Sequence, residues 1–412
     1  MATMITAASD WRSAQWLRAG IIHALGCYAL LMYGVAYYAV TTAAPRMAAD
    51  FGIATPTVFG LLTVSLLLTA ILAPRLGRWT DRAGAATVLL TGAVLRAAAL
   101  IVMALTSELW LFALAFLVVQ CLGQLTEYDA TFAAAVDIAG DKARVAMSQI
   151  TLWGGLASTV FWPTTAWLLD AIGWRTMLLV FAATWLVACL PIAALARALS
   201  RASLPSGAGE ADGTSTDRFA PQHTGTRSPP FGLIAAAFAF GGVAYCLPFL
   251  MLPTLEGLGL GAAAVTVGML FGPSQTAGRF FEMVAGGKVR ATTVAVFASA
   301  VVALALAVLL IGNVWAGLVF AVLFGAGGGV GYVVRGSVVL ELYGTGAYAT
   351  WLGRLGTVRL LVSAIAPFVL SLVLETWGAR AVVMLCGTAA LVSLACFAVL
   401  SHRLRPDAPP SG

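Results

Sequence analysis

Four ionisable side chains stand where a membrane would least tolerate them. Arg96, Glu127, Asp129 and Arg335 each interrupt an apolar run long enough to cross a bilayer as one helix. A charge held in hydrocarbon costs roughly 2.5–3.5 kcal/mol or more, so such groups face protein or a water-filled cavity and mark solute or proton pathways. In the run 109–136, Gln120, Gln124, Glu127 and Thr131 recur at i, i+4, i+7 and i+11. At about 100° per residue they share one helical face, and Asp129 is turned about 200° from Glu127. The expectation is a polar stripe headed by Glu127 that lines a pathway. The competing expectation is that both acids are wetted at a helix end. Arg96 lies mid-run, too deep to snorkel to the interface, and needs a carboxylate or carbonyl partner. Glu127 or Asp129 is the nearest candidate. An acid beside an arginine in a poorly solvated place changes its proton affinity with small changes in hydration, which suits a proton carrier.

The elements that position these groups follow from composition. Of 412 residues, 61% are hydrophobic and 10% charged, against about 25% charged in soluble domains. The chain therefore reads as an all-α polytopic membrane protein. The polar N-terminus lacks a short apolar core followed by a small-residue cleavage site, so no removable signal peptide is expected. Apolar runs of spanning length appear twelve times between residues 20 and 400. Residues 199–230, rich in Gly, Ser, Thr and Pro, read as a disordered cytoplasmic linker. They divide the chain into six-helix bundles at 1–198 and 231–412, the second with a short cytoplasmic tail. The net charge of +6 is placed by topology: with the N-terminus inside, sixteen Lys and Arg fall in cytoplasmic segments and three in outer loops. Both termini are predicted in the cytoplasm of a bacterial inner membrane.

The halves repeat. Gly34-Val35-Ala36-Tyr37 recurs 208 residues later as Gly242-Val243-Ala244-Tyr245, and the same offset pairs Glu127 with Arg335. Two six-span halves with a site near mid-membrane form a transporter architecture. Tyr37, Tyr38 and Tyr245 offer apolar walls with orienting hydroxyls, or plain packing. Arg279 and Glu282, at i and i+3, are expected to satisfy each other. The run Gly325, Gly327, Gly328, Gly329, Gly331 permits close helix approach or a hinge.

Cys27, Cys121 and Cys246 sit in the first, fourth and seventh runs, and all six cysteines fall in apolar spans. No disulfide framework or metal-ligand spacing is present. Without a phosphate loop, nucleotide is not the energy source, and no nucleophile–base pair argues for an enzyme. No cofactor and no nucleic-acid partner is expected; the partners are lipid, a small solute and protons, with the chain acting as a monomer.

Between the second and third runs stands Gly77-Arg78-Trp79-Thr80-Asp81-Arg82-Ala83-Gly84. It resembles the cytoplasmic-loop signature G-x-x-x-D-R-x-G of the major facilitator superfamily, through Gly77, Asp81, Arg82 and Gly84. The trailing basic pair is replaced by Ala85 and Ala86, and the second-half copy shrinks to Gly286-Gly287-Lys288-Val289-Arg290. The resemblance implies twelve helices in two pseudo-symmetric bundles, alternating access, and a latch role for those four residues. Leu152 to Pro163, Tyr128 to Ala133, Leu270 to Gln275 and Glu341 to Gly344 look like a bacterial branch that includes arsenite-efflux carriers. That likeness implies export of a small toxic solute such as a trivalent metalloid, with the three cysteines as candidate thiol contacts. The acids beside arginines are the ground for coupling it to inward proton movement through Glu127 or Asp129. Uptake of a monocarboxylate-like anion clamped by Arg335 and Arg96, and a non-transporting sensor, stay open beside it.

Overall fold

The computed structural model describes residues 2–202, 230–261, 263–285 and 289–403, which are helical apart from short connections, with no strand among them. Twelve rods follow in chain order. Helix α1 covers 2–50, α2 is Thr55–Ala83, α3 is Ala85–Leu105, α4 covers 109–139, α5 covers 143–172 and α6 covers 173–202. Helix α7 covers 231–257, α8 is Ala263–Ala285, α9 is Ala291–Leu309, α10 is Val314–Tyr343, α11 covers 348–377 and α12 covers 378–403. The bends between α5 and α6 and between α11 and α12 fall at Gly173 and Gly378, whose φ values of 73° and 79° suit glycine alone. The two glycines stand 205 residues apart, at matching places between the fifth and sixth rods of each half. Large apolar side chains such as Val187, Trp315 and Phe368 are exposed, as a surface that meets lipid requires. Helix continues through Ala202, inside the stretch read as linker; residues 203–229 lie outside the described part, as do Gly286, Gly287 and Lys288.

The chain forms two compact units, Met1–Ser65 with Trp79–Glu210 and Leu66–Arg78 with Ala211–Gly412. The second half of α2 thus groups with the C-terminal unit. In the N-terminal unit α1 packs chiefly on α5, and α3 on α4, α5 and α6. In the C-terminal unit α8 and α9 both pack on α10, and α7 on α11 and α12. A stacked aromatic column of Phe320 and Phe324, 5.0 Å between ring centroids, centres the C-terminal core with Leu306, Leu370 and Val382.

Each unit ties its third rod to its fourth in the same way. Asp137, in the last turn of α4, accepts the backbone N–H of Ala85 at the start of α3. Glu341, near the end of α10, accepts the N–H of Thr292 at 2.9 Å and its hydroxyl at 3.1 Å, at the start of α9. A carboxylate at a helix N-terminus satisfies orphan donors and meets the positive end of the helix dipole.

Candidate functional site

The fourth rod is not the continuous helix that its apolar length predicts. The α-helix Leu109–Cys121 tightens into a 3₁₀ turn, Leu122–Leu125, then breaks at Thr126 and Glu127 before resuming at Tyr128–Ala139. Glu127 has extended backbone (φ −83°, ψ −169°). The cause is local. Thr126 Oγ1 donates back to the carbonyls of Leu122 and Gly123, at 3.1 and 3.4 Å, competing with the helical ladder. The Glu127 side chain folds over Gly123, where any Cβ would collide with its carboxylate. The expected polar stripe is therefore cut between Gln124 and Glu127, and the angle assigned to Asp129 on an unbroken helix does not apply.

The break brings different partners together. Gln124 Nε2 donates to Asp129 Oδ2 at 2.8 Å, and both residues are buried. Glu127 and Gln120 stay half-exposed, while Thr131 is buried and donates to the Tyr128 carbonyl at 3.2 Å. Glu127 is thus the more accessible acid and Asp129 the enclosed one.

Arg96 faces this break from α3 with 0% of its surface exposed. One guanidinium nitrogen donates to Thr126 Oγ1, and the group lies over the Trp185 ring, 5.4 Å from its centroid. Nε and the second terminal nitrogen have no hydrogen-bond partner among the described residues. Glu127 exerts the strongest charge interaction on Arg96. Of the two acids proposed as its partner, Glu127 is the electrostatic one, and the direct bond goes to Thr126 instead. Trp185 opens a π-helical turn, Trp185–Cys189, of the kind often found at functional positions. Neither Thr126 nor Trp185 was read from the sequence. Trp185 lies far along the chain from Arg96, and an aromatic residue in an apolar run carries no signal of its own.

The tyrosines divide by role. The backbone of Tyr37 and Tyr38 lies in a second π-helical turn, Gly34–Ala39. Tyr128 is buried, stacks on Phe132 and sits in a notch left by Gly154. Tyr245 fills a notch over Gly328 and Gly331 and donates to the Gly327 carbonyl at 3.5 Å. Gly325 and Gly329 lie against the carbonyls of Phe271 and Gln275, so those glycines bring α8 and α10 into backbone contact. Arg279 donates to Gln275 Oε1 at 3.3 Å and lies over the Tyr332 ring. Cys121 reaches the Ser65 carbonyl at 3.7 Å, Cys27 is half-exposed, and Cys246 is buried in the C-terminal core with Cys386. No three metal-ligating side chains cluster among the described residues. Glu127 belongs to the N-terminal unit and Arg335 to the C-terminal one.

The loop signature also acquires geometry. A Cβ on Gly77 would strike the Ala349 carbonyl in the first turn of α11, and one on Gly353 the Ala73 carbonyl. Thr357 Oγ1 donates to the Ala70 carbonyl at 2.8 Å, and Leu360 packs on Ala70 and Ala73. Gly84 ends α2 with φ +82°. Asp81 lies close enough to Asp137 for their charges to repel. Gly77 and Gly84 are thus explained by close approach and by backbone conformation.

Comparison with known proteins agrees with this architecture. A family model described as Major Facilitator Superfamily matches residues 26–290. No curated protein matches the chain significantly. Among solved structures, the human organic anion transporter MFSD10 (TETRAN) is 18% identical, with a TM-score of 0.61 over 94% of this chain and 99% of its own. The transporter FucP, in its outward conformation, is 15% identical, with a TM-score of 0.63 over 93% of this chain and 99% of its own. At those identities the likeness is one of fold. With twelve apolar rods, a matching loop signature and a family model covering well over half its length, the chain belongs to the Major Facilitator Superfamily.

Proposed function

We propose that this chain is a proton-coupled secondary transporter that exports a small solute by alternating access, with Glu127 taking up and releasing the proton beside Arg96. The observation that carries this reading is the break in α4. It leaves a half-exposed carboxylate next to a fully buried guanidinium that has hydrogen-bonding capacity to spare. When Glu127 is charged it offsets the buried cation; when it is protonated that compensation is lost, and the α3–α4 packing around Thr126 must respond. A proton is thereby converted into a change in how two helices hold each other. Asp129, enclosed and bonded to Gln124, serves better as a fixed acceptor. The outward direction rests on the resemblance to efflux carriers. A trivalent metalloid is one candidate solute, with Cys27 and Cys121 the more accessible thiols.

The test is solute flux driven by a pH gradient in proteoliposomes. Glu127→Gln is expected to abolish accumulation while leaving downhill exchange, and Asp129→Asn to retain accumulation. Undiminished accumulation in Glu127→Gln would remove that residue from the coupling. A wild-type protein that moves no member of a panel of metalloids, antibiotics and organic acids would favour the sensor reading.

A further inference from the structure

Three helices of the C-terminal unit leave a groove between them. Its volume is about 320 Å³, and its walls come from α7 through Val243, from α12 through Leu385 and otherwise from α11. The helices lie in stretches long and apolar enough to cross a membrane. Val243 and Ile365 fall near the midpoints of α7 and α11, at hydrocarbon depth. Two neighbouring rows of α11 shape the groove. Leu361, Ile365 and Val369, at i, i+4 and i+8, form an outer ridge that is 38–52% exposed. Beside them run Val362, Ala366 and Leu370, of which Ala366 and Leu370 are buried and make the floor. Over these residues the groove follows α11 for about 12 Å. Pro367 lies on the same stretch and offers no N–H to the Ser363 carbonyl, so the helical ladder is open at this level. Helices bend most readily at such a position, which suits a gap between rods that otherwise pack together.

The described lining is aliphatic without exception. A pocket that recognises a polar solute carries a few placed donors or acceptors, and this one offers none. Water is no better an occupant, since it finds no hydrogen-bond partner in an apolar space. Left empty, the walls forfeit their dispersion contacts on one side. The ridge is continuous with the exposed apolar surface of α11, where Phe368 and Leu372 are 73% and 51% exposed, so the groove opens onto a face that meets lipid. An alkyl chain is the group that matches the aliphatic lining, the elongated run and the depth together. Lipid tails are as apolar as leucine, so retention rests on packing alone. A concave seat packs a chain from three helices. A convex ridge such as Phe297 and Leu304 of α9, 69% and 54% exposed, packs it from one.

We propose that the groove between α7, α11 and α12 is a seat for the acyl chain of a bilayer lipid, held by its hydrocarbon portion and indifferent to its headgroup. A chain seated there fills the gap between α7 and α11 and becomes part of the packing of the C-terminal bundle. The seat belongs to the other unit from Arg96 and Glu127, and it stands whether or not those residues carry a proton.

The experiment places full-length protein in proteoliposomes that contain a phosphatidylcholine with a diazirine at the end of one acyl chain. After illumination, labelled peptides are located by mass spectrometry. Groove peptides of α11 and α12 should carry roughly fivefold more label than the α9 ridge. A phosphatidylglycerol probe with the same tail should give the same ratio. Ala366→Phe, which fills the floor, should bring groove labelling down to the α9 level and leave α9 unchanged. Val243→Phe fills the same space from α7 and takes its place if Ala366→Phe does not fold. Equal labelling of groove and ridge in the wild type would mean annular lipid only and would overturn the seat. Groove labelling that persists in a folded, filled variant would do the same, as would a ratio that changes with the headgroup. A groove shielded from label within a cross-linked dimer would overturn it too, by giving this face to a second copy of the chain.

Discussion

Glu341 accepts the Thr292 N–H beside Arg290, whose Nε lies 3.0 Å from the same carboxylate, and Asp137 accepts the Ala85 N–H beside Asp81. The two acids occupy matching places in the two units, yet one is neutralised and the other is repelled. Asp137 still reaches accessible surface, but protein atoms crowd it. Desolvation, reinforced by Asp81, pushes its carboxyl up to about 6 from the usual 3.8, and the Ala85 N–H only partly opposes this. Between those values the folded protein holds a proton that the unfolded chain has released, so stability must fall as pH rises through the window. Thermal unfolding in detergent from about pH 4 to 7 should show this decline in the wild type and a flatter profile in Asp137→Asn. Parallel profiles would mean that Asp137 keeps an ordinary proton affinity. Residue identity alone marked Arg96, Glu127 and Asp129 as special, because charge in an apolar run is rare at any depth. It could not pair them, since Thr126 and Gln124 became the direct partners only through the backbone break.

At the scale of elements, the break in α4 and the contact of α2 with α11 depend on small residues with opposite tasks. Gly123 makes room for a side chain folding back, whereas Gly77 makes room for a backbone carbonyl of another helix. Gly60, in the same helix as Gly77, has nothing within 4 Å of where a Cβ would stand. Gly60→Ala is therefore expected to stabilise the protein by about 0.5–1 kcal/mol through helix propensity alone. Gly77→Ala is expected to destabilise it by about 1–3 kcal/mol by forcing α2 away from Ala349. Denaturation of the two variants side by side checks the contrast, and equal effects would refute the close packing of Gly77 on Ala349. Apolar length and the signature loop made both helices legible in the sequence. The break was hidden because Thr126 and Gly123 are each tolerated in ordinary membrane helices, and neither residue type by itself announces the back-bonding and side-chain fold-over that divert the chain.

At the scale of the whole molecule, the repeat supplies one scaffold twice and the chemistry once each. Glycines at the bends, Gly173 and Gly378, and the acid near the end of the fourth rod bonded to the start of the third recur in both halves. At the repeat-related positions Glu127 and Arg335, however, one unit carries an acid near Arg96 and the other an arginine sharing a cavity with Arg359. The bias of sixteen basic residues against three predicts both termini inside. A reporter fused after Arg403 should be active only in its cytoplasmic form, and a periplasmic signal would reverse the orientation. The number of rods, their division into halves and the family signature followed from the sequence by itself, because burial in lipid writes itself into composition and length. Which polar groups meet was decided by the tertiary structure alone. Arg96 with Trp185 and Gly77 with Ala349 are each joined by packing between rods distant in the chain, and no periodicity within one helix encodes the angle at which another arrives.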